Sequence, residues 1–319
     1  MNDSLPQAHG QVCLANDTLI DQASYIEELT TYGIGYGSMT GNKLRTLRDF
    51  IAPPRLSNSR TIRLTQYDET EPWATVDYNK VKRAPMADFA EVRQRSSSKI
   101  DRTIPNRGLT VRLDRDQIKD RPMWQQIHTQ WLIDLLLRAT VMEALDVLSA
   151  AALSDSLTWN TTSDPDMDIK TRLLAQANIT GFYPRRALYG DQATLKRQRA
   201  YRAQLTAGSL AGAQAVGDDQ IAAVLGLDAV LTSAERYQSG ASARTELVGS
   251  NVLVFTSIDT DSPEDPSNLV RFVANASFGG GEYAVYLTQE GVKTIYLTVK
   301  NYELISVQHT TGLMKIAIS

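Results

Sequence analysis

Between Asp120 and about Ser154 the chain reads DRPMWQQIHTQWLIDLLLRATVMEALDVLSAAALS, and after Pro122 neither Gly nor Pro recurs until Pro165. Asp120 suits a helix cap and Pro122 a first helical turn. A helix of about thirty residues is therefore predicted over 120–154, a rod of roughly 45 Å at ~1.5 Å per residue. Trp124, Ile127, Trp131, Leu135, Met142 and Leu145 recur at helical spacing, and Leu132, Leu136, Ala139, Leu148 and Ala152 widen the apolar stripe. Trp124, Trp131, Leu135, Met142 and Leu145 are the expected core of this spine. Gln125, Gln126, His128, Gln130, Asp134, Arg138, Glu143 and Asp146 interrupt the roughly 20 apolar residues that a bilayer span needs, so no membrane partner is expected.

Such a rod needs a covering layer, and the C-terminal third supplies a candidate. Ile295, Leu297 and Val299 face one way while Thr294, Tyr296 and Thr298 face the other, and Met314, Ile316 and Ile318 repeat the alternation. Spine plus returning strands would form one discontinuous layer pair. Between them, from near Asp168, short helices alternate with apolar strands: DIKTRLLAQA, Arg186–Tyr189, a helix capped by Asp191, IAAVL capped by Asp218 and Asp219 and closed by Gly226, then LDAVLTS and NVLVFTSI. The expected class is α+β, a long spine helix packed on a β-sheet with an inserted α/β unit.

The first 107 residues read differently. A modest helical pattern runs through Leu19, Ile20, Tyr25, Ile26 and Leu29 into a glycine-rich turn at Gly33, Gly35 and Gly37. The third Gly comes too early for a dinucleotide loop, so this segment reads as an extended arm that takes its order from a partner surface. Thr61–Tyr67 alternates as a half-exposed strand, and Phe89–Arg95 is expected to return antiparallel. That two-stranded excursion has too few apolar residues for a core of its own.

No chemistry-bearing constellation emerges. His9, His128 and His309 fall in the arm, the spine and a late strand, so no metal site, cofactor site or catalytic triad is predicted. Asp164, Asp166 and Asp168 have the alternate spacing of a calcium loop but lack its downstream Gly and Glu, which leaves a solvated turn with Asp168 as a cap. Lys196, Arg197, Arg199 and Arg202, with Arg185 and Arg186 nearby, form the densest basic cluster, and Arg93 and Arg95 a second. Each is read first as a solvated face, and otherwise as a contact for a neighbouring subunit or for DNA. A net charge of −3 and a pI near 5.7 argue against a dedicated nucleic-acid binder. The single cysteine, Cys13, and the unremarkable N-terminus lead to an expectation of folding in a reducing cytoplasm.

With these segments in order, the chain resembles the major capsid proteins of tailed bacteriophages, the HK97-like fold. The phrases RAPMADFAEVRQ, GLTVRLDRDQIKD, IAAVLGLDAVLTSAERY and VGSNVLVFTSI, the last followed by an acidic Pro-containing loop, carry the resemblance through their order. It implies an N-terminal arm over 1–54, an E-loop over 55–107, a P domain over 108–165 containing the spine helix, an A domain over 166–270, and P-domain return strands over 271–319. It also implies pentamers and hexamers of this chain forming an icosahedral shell around double-stranded DNA, without enzymatic activity, in a virion assembled in bacterial cytoplasm. A separate scaffolding protein is implied, since only about fifty residues precede the E-loop, and a portal is a further implied partner; whether a decoration protein joins them is left open. Lys80 and Lys82 lie in the E-loop, but no pattern identifies a partner for covalent crosslinking. Two alternatives stand beside this reading: an encapsulin-type compartment shell, and an α/β enzyme on residues 166–270.

Overall fold

The computed structural model describes residues 23–37, 42–67, 81–82, 96–118, 123–204, 217–238, 243–258, 266–274, 282–290 and 293–319. The N-terminal part contains β1 (Ala23–Tyr25), α1 (Glu27–Gly37), α2 (Lys43–Ile51), β2 (Pro54–Ser57), β3 (Thr61–Tyr67), β4 (Ser97–Thr103), β5 (Asn106–Asp114) and α3 (Arg115–Ile118). The spine α4 (Trp124–Ala151) leads straight into β6 (Leu153–Leu157), α5 (Pro165–Thr180), β7 (Arg186–Gly190), α6 (Asp191–Ala203), α7 (Asp218–Leu225) and β8 (Ala229–Ser233). Then come β9 (Arg236–Gln238), β10 (Arg244–Glu246), β11 (Asn251–Phe255), β12 (Leu269–Ala274), β13 (Tyr283–Glu290), β14 (Thr294–Val307) and β15 (Met314–Ile318).

The spine runs for 28 residues, shorter than predicted at both ends. Met123 occupies its N-cap with a left-handed φ of 60° and makes no side-chain cap bond; Asp120 and Pro122 lie outside the described residues. Its buried face is Thr129, Leu132, Ile133, Leu136, Leu137, Thr140, Val141, Ala144, Leu145 and Leu148. This corrects the expected core. Of the five residues assigned to it, Leu145 is buried, while Trp124, Leu135 and Met142 are half-buried. Trp131 is 50% exposed and Ile127 57%. The segment WLIDLLL is apolar around most of the helix, so its rotation is set by what packs on it. Here Tyr36 donates from its hydroxyl to the Asp134 carboxylate at 3.0 Å, and Tyr32 meets Gln130, which fixes that flank against α1.

A six-stranded sheet lies under the spine in the order β1-β13-β14-β12-β2, with β5 also paired to β14. β14 is 14 residues long: its first half sits between β13 and β5, and Glu303–Val307 pairs with β12. Leu297 and Val299 are fully buried in one cluster with Leu132, Ile133, Leu136 and Leu137 of α4, so the alternation read from the sequence does face the spine. β15 does not. It joins a second sheet, β6-β15-β11-β7-β8, and Met314, Ile316 and Ile318 pack with Ile169, Leu173, Tyr189, Val252 and Val254. Period-two alternation reveals which residues share a face, and is silent on which sheet accepts the strand. Pairing decides here, because β6 leaves the end of α4 and lies parallel to β15.

The helices of this second layer start one or more residues away from the expected caps. Asp164 rather than Asp168 caps α5, accepting from the Met167 amide at 3.3 Å. Gly190 and Gly217 cap α6 and α7, placing Asp191 and Asp218 in first turns, where a carboxylate suits the helix dipole. Asp218 also reaches β8, accepting from the Thr232 amide at 2.9 Å and its hydroxyl at 2.7 Å. Gly226 closes α7 with φ 74°, as expected of a C-terminal glycine.

The arm differs most from the sequence reading. From Ala23 onward it is not an extended segment awaiting a partner: β1 pairs with β13, β2 pairs in parallel with β12, and Leu29, Leu44, Leu47 and Ile51 are buried against the body. Gly33, Gly35 and Gly37, predicted as a turn, lie within α1. Two of them serve close approach. A Cβ on Gly37 would stand 2.7 Å from Cε2 of the buried Tyr283, and one on Gly33 3.2 Å from Cδ1 of Ile133, whereas Gly35 faces open space. Gly37→Ala is therefore expected to destabilise by about 1–3 kcal/mol, while Gly35→Ala gains up to about 1 kcal/mol of helix propensity. Chemical denaturation of the two variants checks the opposite signs.

The excursion is an antiparallel hairpin in which Thr61–Tyr67 pairs with Ser97–Thr103, from Thr61↔Thr103 to Tyr67↔Ser97. The described return strand thus lies C-terminal to the predicted one; Phe89–Arg95 is outside the described residues, as is Lys80, while Lys82 is exposed. Among the described residues β3 and β4 pair only with each other, and every residue of β4 except Ile100 is exposed, while Leu64, opposite Ile100 on β3, is buried. The Arg63–Asp101 ion pair across the hairpin, at 2.8 Å, is solvated.

Candidate functional site

Among the described residues, a group of interlinked charges lies where the arm, the hairpin root, the spine and the sheet converge. On α2, Arg48 is 1% exposed; its Nε is 3.0 Å from Asp49 Oδ1, its Nη2 3.2 Å from Glu282 Oε2, and its Nη1 donates to the Tyr283 hydroxyl at 3.3 Å. On β12, Arg271 is equally buried and divides its guanidinium between Glu282 at 2.9 Å, Asp49 at 3.2 Å and Glu303 at 3.4 Å. Glu303 on β14 also meets the Thr140 hydroxyl of α4 and lies 3.7 Å from Arg107 of β5. Arg107 in turn grips Glu143 of α4 with both arms of its fork.

Each of the buried ions Arg48, Arg271 and Glu303 is held by at least two counter-groups, the condition under which buried charge is tolerated. Burial alone would lower the Arg48 pKa, but Tyr283, Glu282, Asp49 and Glu303 drive it up. Burial likewise pushes the Glu282 carboxyl up, and the charges of Arg271 and Arg48 overcome that, holding it at about 2 against an ordinary 4.5. A folded-state pKa below the unfolded one contributes stability that is complete above about pH 4.5 and lost as pH falls toward 2. A shift of this size corresponds to about 3 kcal/mol. Glu282→Gln should therefore flatten the acid limb of a stability–pH curve between pH 4.5 and 2, measured by urea unfolding at each pH.

These residues were not picked out from the sequence, although a signal for one was present. Glu303 continues the inward parity of Ile295, Leu297 and Val299 on β14, so a charge had to enter the core there. Its partners Arg271 and Thr140 lie 32 and 163 residues away, and Arg107 further still, beyond the reach of local spacing.

The basic residues singled out from the sequence separate. Arg197 is 2% exposed and forms a two-pronged pair with Asp166, both contacts 2.7 Å, so it is withdrawn as a contact for DNA or a neighbour. Lys196 is half-buried with its ammonium donating to the Ile318 carbonyl, whereas Arg199 and Arg202 are exposed on α6. Arg186 donates to the Phe50 carbonyl at 2.8 Å and lies over the Phe50 ring, tying the second layer to α2. Arg93 and Arg95 lie outside the described residues. The three aspartates of the supposed calcium spacing have separate duties: Asp164 caps α5, Asp166 pairs with Arg197, and Asp168 sits in the first turn. Among the described residues no three His, Cys, Asp or Glu side chains are grouped to hold a metal ion, and no helix is long and apolar enough to cross a membrane.

No family model matches the sequence, and no curated protein matches it. Solved structures match in fold. A phage-related protein from Bordetella bronchiseptica RB50 superposes with a TM-score of 0.61 over 92% of this chain and 97% of its own, at 13% identity. The capsid structure of cyanophage P-SCSP1u gives 0.50 over 99% of this chain and 93% of that one, at 10% identity. A virus-like particle from Pyrococcus furiosus gives 0.50 over 91% and 98%, at 9% identity. The arrangement described above, a hairpin excursion, a spine on a sheet and a second mixed layer, is thus the fold of these solved structures. It is the HK97-like fold of phage capsid proteins.

Proposed function

We propose that this chain is the repeating shell subunit of a tailed-phage head, assembling as pentamers and hexamers into an icosahedral capsid around double-stranded DNA. The observation that carries the reading is the β3–β4 hairpin: among the described residues its strands pair only with each other, and every residue of β4 but Ile100 is exposed, whereas an isolated hairpin is marginal in water. A neighbouring copy is the surface that completes it. In this reading the hairpin is the E-loop, α4 with the six-stranded sheet the P domain, and the second sheet with α5, α6 and α7 the core of the A domain. Scaffolding, portal and decoration proteins are its partners during assembly, and the virion is its location. The chain works by geometry and burial, with no reaction to catalyse.

An encapsulin-type compartment is the second reading, since the fold matches the virus-like particle from Pyrococcus furiosus as well as it matches the cyanophage capsid, both at a TM-score of 0.50. Purified particles separate the two. Shells that fill with DNA through a portal support the first; shells that carry a specific enzyme and no portal support the second. Deleting residues 68–84 should leave subunits soluble and abolish closed shells in negative-stain images. Particles of normal yield and thermal stability after that deletion would count against the hairpin as a bridge.

A further inference from the structure

The buried and half-buried ions form a continuous chain with identifiable ends. One end is the hairpin root, Arg107 on β5, three residues after Ile104 leaves β4 and binds back to the Arg60 carbonyl at 2.7 Å. The other is the base of the arm, Arg48 and Asp49 on α2. Between them the contacts run from Arg107 to Glu303 at 3.7 Å, from Glu303 to Arg271 at 3.4 Å, and from Arg271 to Asp49 at 3.2 Å and Glu282 at 2.9 Å; Glu282 then meets Arg48 at 3.2 Å.

An apolar joint would hold these elements at least as firmly, since well-packed hydrophobic residues often match or exceed a buried ion network in stability. Ions add dependence. Arg271 is shared among three carboxylates and its Nε has no hydrogen-bond partner, so it has no spare acceptor to turn to when one of the three moves. Glu303 is likewise shared between Arg271, Arg107 and Thr140. A shift at either end leaves the next ion in the chain short of a counter-group in a site where that is costly.

We propose that this ionic chain is a relay coupling the hairpin root to the base of the arm, so that displacement of one is felt at the other. The relay belongs to the single subunit and goes beyond the shell reading. In a shell it would let a neighbour's grip on the hairpin set the position of the arm.

Hydrogen exchange on the full chain tests it, in shells or as free subunits, so failure of the relay and failure of the shell reading remain distinguishable. Arg107→Gln should accelerate exchange of the α2 amides, residues 43–51, by about tenfold while α5 stays unchanged, because a coupled element opens together. Arg63→Gln, which breaks an ion pair further out on the hairpin, should leave α2 as it is. By reciprocity, Arg48→Gln should accelerate exchange across Asn106–Leu109. Acceleration confined to the mutated end, or spread evenly over the whole chain, would overturn the relay. Where Arg107→Gln does not fold, Arg107→Lys keeps the charge without the fork; a smaller but selective response at α2 is expected, and none at all refutes the proposal.

Discussion

Leu137→Asp is expected to remove folded protein altogether. Leu137 is fully buried and packs in the cluster shared by α4, α1 and the six-stranded sheet, where a carboxylate finds neither water nor a counter-ion. The cost, about 4–5 kcal/mol or more, is comparable with the whole stability of many domains. Soluble yield and far-ultraviolet circular dichroism report it directly. Trp131→Asp is the matched control on the same helix: with that residue half exposed, the subunit should stay folded, its melting temperature within about 4 °C of the parent. If the two variants behaved alike, the rotation of α4 described here would be wrong.

The second large effect is expected at Arg271. Arg271→Met removes the guanidinium shared by Glu303, Glu282 and Asp49, and leaves Glu303 buried with only Arg107 and the Thr140 hydroxyl. Breaking one side of such a network typically costs about 3–5 kcal/mol. Removing both members is milder, because no charge is left stranded. Arg271→Met combined with Glu303→Met should therefore cost less than the sum of the singles, with a coupling of about 1–3 kcal/mol in a double-mutant cycle by urea unfolding. Strict additivity would mean that the 3.4 Å contact does not carry an interaction.

What could be read beforehand follows the range of each interaction. Strands β3, β7, β8 and β11 were legible because their alternation or apolar runs are local, and β3 matches the predicted Thr61–Tyr67 residue for residue. The spine was legible as one long helix, though not in its ends or its rotation, the latter because Trp131, Leu132, Ile133, Leu135, Leu136 and Leu137 offer apolar surface on nearly every side. The α1 glycines suggest a turn by intrinsic preference; only contact with Tyr283 and Ile133, far along the chain, explains them inside a helix. Arg197 looked like part of a solvated basic face because its partner Asp166 lies 31 residues back. The ionic chain was hidden for the same reason: apart from Arg48–Asp49 within α2 and Arg271–Glu282, its pairs join residues that are far apart along the chain.

The central claim is that the hairpin is completed by another copy of the same chain. Electron cryomicroscopy of this chain, expressed with the proposed scaffolding protein, tests this most directly. Closed icosahedral shells with residues 61–103 of one subunit lying across the next are the predicted result. A stable monomer with that hairpin folded onto its own body would contradict it.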